Sequence, residues 1–436
     1  MSFKNILLIP VALIWMSLIA HSIYRDIQLE RFPADLRNRV VGARLQKDGR
    51  LPYFYYWTPE EGSRYFDPES CNQLKGSASR ITASPFFHQL LFPICDFPQR
   101  TIAIIWGWLQ YIMLAIMIWM FWRLSDGYPK KMLVLTAGIF FTTTEAWKSL
   151  ILQGQLYFFV AFLIGCIIYS LHQNKKGFIL FAGICAAAMV LTRPIALVIF
   201  LPFIFQYKKH LLFLATAFAA CTLYGLFVLF SPPETALWKE YARAVQAHVQ
   251  YHQGEIGVIL RSCEPEDLEG INIAAVQKKI KEHPILVYSE SGNVFYIYHL
   301  ITGKKMSLVL LNILLVLTIT LLVGFFSFFS GKNSLLLLQT LIFAFTLYMM
   351  VELFSPIYRH QYNTVQWFPI VLSGCLLTKE WKKPAFLLLA LGLLLNIINT
   401  TWIPMRHTLG EIFWLAGLLL IVFTPINNRV PWKQPS

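Results

Sequence analysis

Few side chains in this sequence can do chemistry, and those that can lie at the ends of long apolar runs rather than within them. Asp35 stands first among them. It opens the stretch Phe32-Pro33-Ala34-Asp35-Leu36-Arg37-Asn38-Arg39-Val40-Val41-Gly42-Ala43-Arg44-Leu45, in which Leu36, Val40 and Ala43 share one stripe at helical spacing. Asp48-Gly49 ends the helix and Pro52 follows it. A carboxylate at the start of such a helix has two uses. It can cap the helix by accepting backbone N–H bonds, or it can act as a general base that takes the proton of an attacking hydroxyl. Periodicity alone favours the cap.

Of the ionisable groups inside or at the edge of the predicted membrane helices, apart from the solvated basic segments, Glu145, Lys148, Arg193, Glu352, Arg359, His360, Arg406, His407 and Glu411 fall at the same ends of helices. Charge at the edge of a membrane is costly, so each is a functional candidate. A carrier coupled to protons or ions would place such groups near the midplane instead. Each also has a plainer reading. Lys148 follows Glu145 by three residues, as an ion pair on one helix face would. Arg193, before Pro194, can snorkel toward water. Arg359 and His360 can be interfacial anchors, and Gln153 and Gln155 can cap a helix or bind sugar hydroxyls.

These groups must be positioned by a membrane body. The chain is 56% apolar and only 14% charged, with a mean hydropathy of +0.55. Runs such as 211–230, 308–329 and 335–354 reach the roughly 20 apolar residues that a spanning helix needs. The segmentation predicts about twelve transmembrane helices, at 6–24, 101–122, 132–147, 153–171, 178–192, 194–206, 211–230, 306–329, 334–353, 365–377, 385–402 and 409–424. Two long polar stretches remain, 25–100 and 231–305, each rich in aromatic residues suited to headgroup level. The expected fold is thus all-α and polytopic, a single membrane-embedded domain over 1–436 with two extracytoplasmic loop regions.

Charge sets the orientation. Short segments at 1–5, 123–131, 172–177, 206–210, 331–333, 378–383 and 425–436 hold fourteen of the 37 Lys and Arg but only two of the 23 acids, Asp126 and Glu380. Basic residues collect on the cytoplasmic side, so both termini are expected there and the polar stretches outside. The net charge of +14 is therefore topological and gives no reason to expect a nucleic-acid partner. Cys71 and Cys95 share one of the polar stretches, where a disulfide can form in an oxidising compartment. The cysteines show no metal-binding spacing.

The order of motifs resembles a family. An Asp about ten residues beyond the first apolar helix, then an amphipathic helix ending in Gly49-Arg50-Leu51-Pro52-Tyr53, is similar to the C-type glycosyltransferases. The closest resemblance is to glycosyltransferase family 87, the polyprenyl-phosphate-mannose-type enzymes. Further matches are Tyr65-Phe66-Asp67-Pro68, Thr82-Ala83-Ser84-Pro85-Phe86, Gln153-Gly154-Gln155 opening a helix, Thr192-Arg193-Pro194 and Arg359-His360-Gln361-Tyr362-Asn363. They cover most of 1–210 and one site near the end. One departure is plain: many relatives carry aromatic residues just after the Asp, where this chain has Arg37, Asn38 and Arg39.

The resemblance implies transfer of mannose or a similar hexose from a polyprenyl-phosphate lipid to a glycan or glycolipid acceptor at the outer leaflet of an inner (plasma) membrane. Asp35 is then the general base. Arg359, His360, Arg193 and Lys148 would meet the charge that grows on the phosphate leaving group, and Gln153, Gln155 and Arg39 would bind sugar or acceptor. Partners would be membrane lipids and the lipid-linked donor. A monophosphate can be neutralised by side chains alone, so the expectation is no metal and no cofactor beyond the donor. Two other classes stay open on sequence grounds: a glycolipid transporter or flippase, and a surface-polysaccharide polymerase or ligase using a diphosphate-linked donor.

Overall fold

The computed structural model describes residues 3–27, 33–67, 73–74, 79, 81–252, 258–259, 292–304, 306–332, 335–357, 359–377, 383–398, 402–403 and 405–424. Cys71 and the segment 425–436 fall outside them, so the Cys71–Cys95 pairing lies outside the described residues. The described chain is helical apart from one antiparallel pair of two-residue strands, Gln73–Leu74 against Val258–Ile259, which ties the two polar stretches together.

From the start, the helices are α1 (Phe3–Ile27), α2 (Ala34–Lys47), α3 (Pro85–Leu91), α4 (Gln99–Leu124), α5 (Gly127–Thr143), α6 (Glu145–Gln153), α7 (Tyr157–Gln173) and α8 (Lys176–Thr192). A 3-10 turn (Pro194–Phe200) leads into α9 (Leu201–Ile204), α10 (Tyr207–Phe230) and α11 (Pro232–His252). Then come α12 (Val294–Thr302), α13 (Leu308–Lys332), α14 (Leu337–Leu353), a 3-10 turn (Gln361–Trp367), α15 (Phe368–Leu377), α16 (Pro384–Ile397) and α17 (Arg406–Val422).

Among the described residues, three helices are long and apolar enough to cross a membrane: Gln99–Leu124, Tyr207–Phe230 and Leu308–Gly331. Their surfaces suit lipid. Val316 and Leu321 on α13 are each 63% exposed, and Leu223 on α10 is 68% exposed, which water would penalise over so large an area. By contrast α14 is buried on nearly every side and forms the hub of the body. An apolar helix with no polar face belongs in such a position. Its buried Gln339 donates to the carbonyls of Ile421, Val422 and Thr424, meeting bonds that the end of α17 leaves open.

The structure corrects the expected helix at 132–147. Thr144 divides it: its N–H bonds back to Phe141 and ends α5, while its hydroxyl accepts from the Trp147 N–H and caps α6. The expectation that Gln153-Gly154-Gln155 opens a helix is also corrected. Gln153 closes α6, Gly154 turns left-handed at φ +65°, and α7 starts at Tyr157. Thus α6 and α7 meet at a bend of 117°. Likewise the expected helix at 365–377 starts as the 3-10 turn Gln361–Trp367, with α-helix only from Phe368.

The 154 turn abuts the start of α2. A Cβ on Gly154 would lie 2.5 Å from Leu36 Cβ and 2.8 Å from Pro33 Cβ. A left-handed L-residue costs about 1–2 kcal/mol, and overpacking adds about 1–3 kcal/mol. Gly154→Ala should therefore lower the melting midpoint of the purified protein by several degrees while leaving its helix content intact. Melting curves that superimpose on the wild type would show that the two segments do not meet this closely.

Candidate functional site

Asp35 sits in the first turn of α2, but it is not the cap. Pro33 holds the cap position and Asp35 the second place of the helix, so the N-cap position expected for Asp35 is corrected. A carboxylate there is still favoured by the partial positive charge of the helix start. The predicted stripe is real: Leu36, Val40 and Ala43 are buried, while Val41 and Leu45 pack on a second cluster with Tyr53, Tyr55, Trp57, Leu237 and Ala244.

The other matched motifs brace this helix. Arg44 donates to three carbonyls, Cys95 (2.6 Å), Arg64 (2.7 Å) and Phe97 (3.2 Å). Arg37 and Asn38 both bond the buried Asp67 at 3.2 Å, which gives the polar residues after Asp35 a structural use. Tyr53 donates to the Ala83 carbonyl at 2.8 Å, and Ser84 caps α3. His88 on α3 then packs over Gly42, where a Cβ would lie 2.5 Å from Nε2, and stacks on Tyr53.

Across the contact with the 154 turn, the buried Gln155 joins two expected residues. Its Nε2 donates to the Asp35 carboxylate, and its Oε1 accepts from Arg39 Nη2 at 2.6 Å. Two residues on, Tyr157 begins a stack. Arg193 lies over its ring at 5.0 Å, Tyr362 stacks on it at 5.5 Å, and His360 stacks on Tyr362 at 4.9 Å. Arg193 pairs with Glu352, and the buried Arg359 makes two bonds to the buried Glu411.

Asp35, Gln155 and Arg39 thus form one bonded group, and Arg193, Tyr157, Tyr362 and His360 form one stack; the two are joined along the chain by residues 155–157. Arg359 is 3% exposed and locked to Glu411. Lys148 keeps to Glu145 at 2.8 Å, as the helix-face reading has it, and is half-buried. Gln153, at the end of α6, takes no part in the Asp35–Gln155–Arg39 chain. Tyr157 and Tyr362 were missed as site residues, although each lies inside a matched motif or two positions from one. Among the described residues no group of three His, Cys, Asp or Glu is placed to hold a metal.

Chemically, the arrangement offers a carboxylate facing an amide N–H, a row of flat rings ending in the exposed His360, and two guanidinium groups each balanced by a glutamate. Rings of this kind suit the apolar faces of a sugar, and guanidinium groups suit phosphate oxygens.

Residues 82–258 match the model of glycosyltransferase family 87, the family that the motif order resembles. The match runs from the strap before α3 through α11 and takes in Gln155, Tyr157 and Arg193; Asp35 and Arg359 lie outside it. It marks the chain as a glycosyltransferase, and the apolar helices mark it as a membrane protein. No curated protein and no solved structure matches the chain at a significant level.

His88 gives a pH test of the packing under α2. Burial, aided by the nearby Arg39 charge, pushes its imidazole down to about 3 from the ordinary 6.5. The unfolded chain therefore binds a proton between pH 6.5 and 3 that the folded chain refuses. Stability is full above pH 6.5 and falls with pH, by at most about 1.4 kcal/mol per unit. Thermal melts from pH 7.5 down to 5 should fall more steeply for the wild type than for His88→Phe, which keeps the ring contact without the proton site. Parallel curves would mean that His88 is charged or exposed.

Proposed function

We propose that the protein transfers a hexose, mannose or a close relative, from a polyprenyl-phosphate donor to a hydroxyl of a glycan or glycolipid at the outer leaflet. The observation that carries this reading is the contact between Asp35 and Gln155. It seats the Asp35 carboxylate, in the first turn of α2, against the matched region. In this reading the chain has the C-type architecture with about twelve crossings, both termini in the cytoplasm, and 25–100 and 231–305 outside an inner membrane. Packing of residues from both polar stretches into one aromatic cluster supports placing them on one side.

The reaction is a single displacement with inversion. Asp35 accepts the proton of the acceptor hydroxyl while the oxygen attacks the anomeric carbon. The bond from that carbon to the phosphate oxygen breaks, and its electron pair stays with the phosphate. Arg193 and His360, at either end of the Tyr157–Tyr362 stack, are best placed to meet that charge. Arg359 supports from behind, already bound to Glu411. Lys148 is the weakest of the four, being paired with Glu145.

Asp35→Asn tests the base. Pro33 holds the cap position, so the variant should express and melt like the wild type. Loss of a general base costs about 100-fold to 10,000-fold in rate. Turnover of a polyprenyl-phosphate sugar by the folded variant should fall within that range. Retention of more than about a tenth of wild-type turnover would make Asp35 structural.

A further inference from the structure

Arg39 and Gln155 were expected to touch sugar or acceptor. We infer that they form a positioning relay, in which Arg39 fixes the orientation of the Gln155 amide so that its N–H is held toward Asp35. The inference rests on Asp35 being the base.

The argument starts from the chemistry of the two groups. A glutamine amide has nearly the same shape either way round, with a donor at one tip and an acceptor at the other. Turned one way it offers Asp35 an N–H; turned the other it would set a carbonyl oxygen against a carboxylate. Guanidinium can only donate. Arg39 therefore accepts no partner but the amide oxygen, and its 2.6 Å bond to Oε1 leaves only Nε2 for Asp35. Both Arg39 and Gln155 are buried, so water does not compete for either tip.

Helical spacing makes the relay possible. Asp35 and Arg39 are four residues apart and so share one face of α2. Gln155 reaches both because the left-handed turn at Gly154 brings its backbone against Leu36. The Gln155 N–H bonds the Leu150 carbonyl at 3.0 Å and fixes the side chain's point of origin.

Arg39 is committed to this task. Arg37 has Asp67, Arg193 has Glu352 and Arg359 has Glu411, whereas no carboxylate pairs with Arg39 among the described residues. Its Nε and Nη1 are buried without partners, and its single bond is the one to Gln155. A buried guanidinium left in that state is costly. It contributes most where its charge acts on Asp35 through the amide between them.

The test is a double-mutant cycle read in kinetics. Arg39→Met removes the group that sets the amide; Gln155→Leu removes the amide and keeps its size. Each should lower kcat about tenfold or more, while KM for donor and acceptor stays within about twofold, because neither residue touches substrate. The double variant should be no slower than the worse single one, since both break the same chain. Arg39→Lys, which can still donate to Oε1, should recover part of the rate. Effects that multiply in the double variant, or a rise in KM with kcat unchanged, would overturn the relay and return both residues to substrate binding. Activity retained by Asp35→Asn would instead overturn the base itself, so the two failures are distinct. All variants are compared at equal folded fraction by melting; Gln155→Met replaces a Gln155→Leu that does not fold, and Arg39→Leu replaces an Arg39→Met that does not fold.

Discussion

The site depends on one close approach between backbones. At Gly154 the chain turns left-handed against Pro33 and Leu36, nearer than any side chain would allow. Glycine suits the turn twice over, since it tolerates positive φ and carries no Cβ. From that contact the rest follows. Gln155 faces the start of α2, Tyr157 begins the stacked rings, and α7 departs at a steep angle into the body. Thr144 is the other half of the device, because it ends α5 and lets α6 run as a separate short helix to the turn.

Charge at the edge of an apolar body must be balanced where it stands. Arg193 with Glu352, and Arg359 with Glu411, do this in pairs contributed by different segments. Such pairs add little net stability, but removing one partner strands the other and costs about 3–5 kcal/mol. They flank the Arg193–Tyr157–Tyr362–His360 stack, which joins α7 to the Gln361–Trp367 turn. The helix α2 is tied down by Arg44 on three carbonyls and by Asp67 on two side chains. A catalytic group must be held to within fractions of an ångström, and most of the polar bonds here serve that end.

Much of this was legible in the residues. The extent of α2, its buried stripe and its end at Asp48-Gly49 were read from spacing, as were the cores of α4, α10 and α13. Pro33 rather than Asp35 takes the cap position, because an acidic residue is favoured by charge throughout the first turn and its type does not fix which place it holds. The break at Thr144 was hidden by the unbroken apolar pattern on either side of it. The pairing of Arg359 was not legible because its partner, Glu411, lies 52 residues away and sequence does not show who meets whom. Gln155 was among the candidates, but its partners were not legible, for the same reason: its bond to Asp35 spans 120 residues.

The central claim is that a monophosphate-linked lipid sugar is consumed at this site. The most direct measurement incubates the purified protein with radiolabelled polyprenyl-monophosphate sugars, polyprenyl-diphosphate sugars and nucleotide sugars in parallel, each with membrane lipids and glycans as acceptors. Label should move from a monophosphate donor alone, with release of unlabelled polyprenyl phosphate. Transfer only from a diphosphate or nucleotide donor would contradict the account, and so would appearance of intact labelled lipid in the opposite leaflet of a vesicle without transfer.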